Sequence, residues 1–275
     1  MHIYIPSLNR VKKQSTLQEL PEQWLQKTTL VVPKHQYTEY LYVYGNIVKV
    51  LACPVTGIGV TRQWIMDTCP VKYLCMLNDD LRFFYYSTTS QNASKLQRSS
   101  KKQVGDMLEQ LHLWLTKENI AHCGVRRRNV QMETEASFIQ ACRMNDVYAY
   151  NVKAFTFSRA RFDRLPVMED FDVTLTMLRA GFINRVSMHY AWDQNATNSS
   201  GGCSVYRTNA MQHEAAALLA KLHTGFVTIK KKKAWRGLED PFRFDVTINW
   251  QAAYESYLAT KRKPSKGLFK KGVCA

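Results

Sequence analysis

The sequence has no C-x-x-C pair among its seven cysteines, no apolar run near the roughly 20 residues a spanning helix needs, and few acidic residues. The first absence, with an odd cysteine count, argues against a disulfide framework or a thiolate zinc site and predicts reduced thiols. The second, with a start "MHIYIPSLNR" that lacks the layout of a secretory leader, predicts a soluble intracellular protein. The third leaves 38 Lys+Arg against 22 Asp+Glu, a formal net charge of +16 in 275 residues. That excess favours a polyanionic partner, nucleic acid or an anionic membrane surface, without choosing between them. Internal repeats and spacers are missing too. The prediction is therefore one domain over residues 1–258, large enough to bury a full core, followed by a basic tail over 259–275 that contains "KRKPSKGLFKKGVCA".

What is present has an α/β rhythm. "HIYIPS", "TTLVVP" and "NIVKVLACP" are short β-branched runs ended by Pro or Ser, with helix-like stretches between or after them. "GVTRQWIMDTCP" reads as a helix carrying Ile58, Trp64 and Ile65 inward until Pro70 stops it, and "KYLCML" as the next buried strand. Residues 87–104 are polar, Ser-rich and basic, and are predicted to form a long loop. The amphipathic "VGDMLEQLHLWLTKENI" follows as a helix, and "HCGVRRRNV" as a strand with its turn. In "VMEDFDVTLTMLRAG", Met168, Phe171, Leu175 and Leu178 recur at helical spacing, with Gly181 as the predicted C-cap.

Two acidic clusters fall at telling places. Asn78-Asp79-Asp80 ends the "KYLCML" strand, and open α/β sheets bind ligands in the crevice beyond their strands' carboxyl ends. Hard carboxylate oxygens suit Mg2+ or Mn2+, which hold diphosphates; the plain alternative is a turn cap, as "DD" often is. Glu169-Asp170-x-Asp172 opens the later helix, where the helix dipole alone also favours acids.

Taken in order, "IPSLNR", "GIGVTR", "LNDDL", "EDFDVTLTMLRAG" and "WDQNATNSSGGCSVYRT" resemble glycosyltransferases of the GT-A fold. More narrowly, they resemble the phage-encoded TET-associated glycosyltransferases, which attach sugars to hydroxymethylated cytosine in viral DNA. The resemblance covers about residues 1–250. It implies a Rossmann-related, mostly parallel central sheet flanked by helices. It also implies a UDP-sugar donor, Mn2+ or Mg2+, DNA containing 5-hydroxymethylcytosine as partner, no membrane, a monomer, and the cytoplasm of a phage-infected bacterial host as location.

By position, the resemblance makes Asp80 the metal ligand and puts Asp79 at the ribose or sugar, although Asn78 departs from the Asp-rich form of this element. Asp170 becomes the general base, with Glu169 its neighbour or substitute, and Asp172 is left to bind acceptor or support the turn. Pro6, Ser7, Arg10, Thr61 and Arg62 match nucleotide-contacting positions, where an Arg can clamp phosphate. Gly201 and Gly202 would allow close backbone approach, and Tyr206 and Arg207 would meet phosphate or base. His189 is the implied further metal ligand beside Asp80, with His213 or Asp193 as substitutes.

Basic clusters at Arg126-Arg127-Arg128, at Lys230–Lys233 (Lys231 and Lys232 central) with Trp235 and Arg236, and in the tail read as phosphate contacts; the bland alternative is solvated charge. Three functions compete: a DNA glycosyltransferase, a similar enzyme acting on protein or cell-envelope glycan, and a non-catalytic DNA-binding module.

Overall fold

The computed structural model describes residues 1–87, 96–129, 136–194, 207–233 and 242–262. The first third alternates strand and helix: β1 (His2–Pro6), α1 (Ser15–Glu19), α2 (Glu22–Leu25), β2 (Thr28–Pro33), α3 (Tyr37–Tyr44), β3 (Lys49–Cys53), α4 (Ile58–Thr68) and β4 (Tyr73–Leu77). Such alternation forces crossovers, and β1 pairs parallel with both β2 and β4, and β2 with β3. The middle comprises β5 (Leu81–Tyr86), β6 (Leu96–Arg98), α5 (Lys101–Thr116), β7 (His122–Arg127), β8 (Phe138–Gln140), β9 (Val147–Asn151), α6 (Val152–Ser158), α7 (Glu169–Arg179) and β10 (Asn184–Gln194). The last part is α8 (Asn209–Leu222), β11 (Val227–Lys233), β12 (Phe242–Ile248) and α9 (Trp250–Arg262).

Ten strands make one sheet in the order β3-β2-β1-β4-β9-β7-β10-β5-β6, with β8 on β10. Its pairings set β5, β8 and β9 against the other seven strands, so the sheet is mixed but mostly parallel. Period-two alternation divides the core. Ile3, Ile5, Cys75 and Leu77 face α5 residues such as Met107, Leu108 and Leu111; Tyr4, Leu74 and Met76 face Ile65 of α4 and Val173 and Met177 of α7. A third cluster joins α7 to the C-terminal elements through Phe171, Leu175, Ala215, Leu219 and Ala253.

Two expectations need correction. The predicted loop over 87–104 contains β6, and α5 starts at Lys101, because Ser100 and Gln103 form a reciprocal capping box that the Ser-rich run conceals. The break expected at 258/259 falls inside α9; the tail residues 263–275 lie outside the described residues. Lys230–Lys233 is an exposed strand, paired antiparallel with β12. The helix over Ile58–Thr68 does bury Ile65, while Trp64 is half-buried, and Gly181 takes φ +92° just past α7, the left-handed cap conformation.

Candidate active site

The strand β4 ends in a buried turn. Asp79 and Asp80, 4% and 8% exposed, occupy it just before β5, and Arg10 on the loop after β1 binds both: Nη1 lies 2.6 Å from Asp79 Oδ1 and 2.8 Å from Asp80 Oδ2. Ser7 Oγ donates to Asp79 Oδ2 at 2.5 Å, Gln14 Nε2 donates to Ser7 Oγ at 2.6 Å, and the Tyr40 hydroxyl lies 2.8 Å from Ser7 Oγ. Thr16 locks the backbone, donating from Oγ1 to the Asn78 carbonyl at 2.6 Å and accepting from Leu81 N at 2.8 Å. Burial pushes the Asp79 carboxyl up to about 6 against the pull of Arg10 and Ser7. The pair suits a hard divalent cation whose remaining ligands come from a bound diphosphate. Among the described residues, no three or more His, Cys, Asp or Glu side chains gather to enclose a metal by themselves.

The second acidic cluster lines a cavity of 310 Å³ under the N-terminus of α7. Met168, in the left-handed region at φ 64°, turns the chain into that helix so that Glu169 and Asp170 face the space. Glu169 accepts from Arg62 Nη1; Arg62 Nη2 donates to Asn78 Oδ1 at 2.7 Å, and its guanidinium lies 4.8 Å from the Tyr148 ring centroid. Burial drives Glu169 up to about 7, with Arg62 opposing and Asp170 adding like charge; Asp170 is also raised, by burial, with Arg143 and Arg62 opposing. Arg127, Arg143, Arg207 and Arg243 line the same cavity as Arg62, with Gln212, Asp245 and Asp146. The arrangement offers a proton-accepting carboxylate to an alcohol and several cations to phosphate in one space.

The remaining expected positions separate. Pro6 ends β1, and Thr61 sits on the first turns of α4, its amide bonded to the Gly57 carbonyl. Asp172 is fully buried and tied by Arg164, with its Nε 2.7 Å and Nη2 2.6 Å from the carboxylate, and by His223 Nε2 at 2.7 Å; it fastens α7 to the end of α8. His189 lines a different cavity, with Tyr85, Tyr86 and Lys102. It lies within the register shift that β10 makes between Ser187 and Ala191, and among the described residues it forms no metal-holding group with Asp79 and Asp80. His213 stacks on Phe244 at 4.0 Å, and Asp193 pairs with Arg128 at 3.4 Å.

Arg126 is only 3% exposed, with its guanidinium 4.6 Å from the Tyr86 ring centroid, which removes it from the exposed basic groups. Lys231 lies over the Phe242 ring and Lys232 pairs with Asp245 at 2.8 Å, both exposed on β11. Gly201, Gly202, Tyr206, Trp235 and Arg236 lie outside the described residues.

Asp146, Arg143 and Arg243 were not among the expected residues. Asp146 stands at the entry to β9 with φ 63° and reaches the site because β9 pairs antiparallel with β4. The only local sign is a second "ND", Asn145-Asp146, before an apolar run.

A family model described as TET-associated glycosyltransferase matches residues 1–202. No curated protein sequence matches the chain. Among solved structures, S. aureus TarS 1-349 in complex with UDP-GlcNAc is similar at 14% identity, over 82% of this chain and 67% of that one, with a TM-score of 0.52. Glucosyl-3-phosphoglycerate synthase from Mycobacterium tuberculosis, in complex with Mn2+, UDP and phosphoglyceric acid, is similar at 11% identity over 90% and 86%, with a TM-score of 0.50. At these identities the likeness is one of fold, the GT-A arrangement of a mostly parallel sheet between helices. The matched residues take in the sheet from β1 to β10 and both acidic turns, so the chain belongs to the TET-associated glycosyltransferase family and is a glycosyltransferase.

Proposed function

We propose that the protein transfers a sugar from a nucleotide-sugar, most simply a UDP-sugar, to the hydroxyl of 5-hydroxymethylcytosine in DNA, acting as a monomer in the cytoplasm of a phage-infected bacterial host. The observation that carries this reading is the α7 cavity, where Glu169 and Asp170 share one space with Arg62, Arg127, Arg143, Arg207 and Arg243. The donor class is supported by the solved relatives, one holding UDP-GlcNAc and another Mn2+ with UDP. The acceptor is supported by the family, by the +16 charge and by the exposed lysines of β11.

In this reading Asp170 accepts the proton of the acceptor hydroxyl as its oxygen bonds to the anomeric carbon and the bond to the diphosphate oxygen breaks. Arg62 holds Glu169 beside it. Asp80, with Asp79 next to it, would hold Mn2+ or Mg2+, which when bound offsets the charge on the leaving diphosphate. Lys231, Lys232 and Arg127 face DNA phosphate, which positions a duplex without reading its sequence.

The test is to incubate the protein with Mn2+, 5-hydroxymethylcytosine DNA and a panel of nucleotide-sugars, and to weigh the nucleosides. A hexose-sized mass gain on 5-hydroxymethyl-2′-deoxycytidine supports the reading. Transfer that proceeds without DNA moves the acceptor to protein or envelope glycan, and a failure to turn over any donor leaves the non-catalytic DNA-binding module.

A further inference from the structure

We propose that Asn78 and Asp146 are a positioning pair that ties the strand-end acidic turn to the carboxylate-bearing helix α7, with Asn78 acting as an amide bridge and not as a metal ligand. This rests on the reading of the Glu169–Asp170 turn as the place of proton transfer.

The argument begins with register. Leu77 pairs with Val147 across the antiparallel β4 and β9, so the residue leaving one strand meets the residue entering the other, and Asn78 N donates to the Asp146 carbonyl at 3.1 Å. The side chains continue the contact. Asn78 Nδ2 donates to Asp146 Oδ1, and Asn78 Oδ1 accepts from Arg62 Nη2 at 2.7 Å; Arg62 Nη1 in turn donates to Glu169. An ionised carboxylate only accepts and a guanidinium only donates, so the group between them must offer one of each. An amide does this in a single orientation; a carboxylate at position 78 would instead face the carboxylate of Asp146.

Asn145 Nδ2 donates to Asp146 Oδ2 at 2.6 Å, so both Asp146 oxygens are engaged. The left-handed backbone at Asp146 is one that Asp and Asn both tolerate, so exchanging them adds no strain there. The chain Asp146–Asn78–Arg62–Glu169 thus accounts for Asn in the first place of an otherwise acidic element.

The test is a reciprocal exchange: Asn78→Asp, Asp146→Asn and the double variant, assayed at pH 8 for sugar transfer and, separately, by NMR of the Arg62 guanidinium signals. Asn78→Asp should lower kcat by about 10²-fold, the usual result of misplacing a catalytic group by an ångström or so, and should shift the Arg62 signals. Asp146→Asn should cost less, because it keeps an acceptor oxygen. The double variant again sets one amide against one carboxylate, and it should regain most of the turnover and the wild-type Arg62 signals. A double variant as slow as Asn78→Asp, or an Asn78→Asp protein with wild-type kcat and Arg62 signals, overturns the proposal. Should Asn78→Asp fail to fold, the double variant must still fold and work, or the pair is refuted. Should the wild type transfer no sugar at all, the proposed function fails instead, and the Arg62 signals judge the pair: loss and recovery support it, and no change overturns it.

Discussion

The two acidic turns have similar composition and opposite surroundings. Asp79 and Asp80 share one guanidinium, Arg10, while Ser7, Gln14, Tyr40 and Thr16 hold the turn around them. Glu169 and Asp170 adjoin each other at the wall of a cavity, with Arg62 bound to Glu169 alone of the two. Burial raises a carboxylate in each turn, Asp79 to about 6 and Glu169 to about 7; the first is clasped between Arg10 and Ser7, while the second faces a cavity that an acceptor can enter. Position along the chain does not account for this difference. The neighbours supplied by other elements do: β1 and its loop bring Ser7 and Arg10 to one turn, while helix α4 brings Arg62 to the other.

The comparison breaks most visibly at Asp170. Asp170→Asn should lower turnover by about 10²–10⁴-fold, the usual worth of a positioned base, and steady-state kinetics on modified DNA measures it. Retention of the donor's anomeric configuration, read by NMR of the product, would contradict the base role even if the variant is inactive. Next in size is Asp79→Ala, which strands Ser7 and Gln14 in a buried network; chemical denaturation should show a loss of about 1–3 kcal/mol, where Glu169→Gln, which keeps an acceptor for Arg62, should cost less.

A third effect depends on pH. Glu169 is raised from 4.5 to about 7 on folding, so its protonated form is favoured in the native state: the stability it contributes is full below pH 4.5 and is lost as pH rises through about 7. Thermal midpoints should therefore fall over that interval, and Glu169→Gln should flatten the fall; an identical slope in the variant would remove Glu169 as its source. The smallest effect concerns β11. Replacing Lys231 and Lys232 by Gln should make the slope of log DNA affinity against log salt shallower by up to about 0.9 for each phosphate these side chains neutralise, measured by fluorescence anisotropy, with binding of sugar nucleotide unchanged. An unaltered slope would mark these lysines as solvated charge.

Much of this was legible locally. Runs such as "HIYIP" and "YLCML" name their own strands, and "NDD" after the second declares a turn in the crevice where such sheets bind ligands. The "EDFD" segment with Gly181 likewise marks both ends of α7. Asp146 was hidden because its place depends on β9 inserting antiparallel between β4 and β7, a pairing across about seventy residues that no short motif encodes. Arg243 was hidden for the same reason, since β12 folds back beside α8 to wall the cavity. Arg126 was misjudged because a triple-Arg run looks uniformly exposed, whereas strand alternation turns Arg126 inward against Tyr86 and leaves Arg127 at the cavity.

The division of labour between the two turns is tested most directly by calorimetric titration of a UDP-sugar, with Mn2+ present, into Asp80→Ala and Asp170→Asn side by side. The account predicts that Asp80→Ala loses the Mn2+-dependent part of the binding while Asp170→Asn binds as the wild type does. Wild-type affinity in Asp80→Ala, or lost affinity in Asp170→Asn, would contradict it.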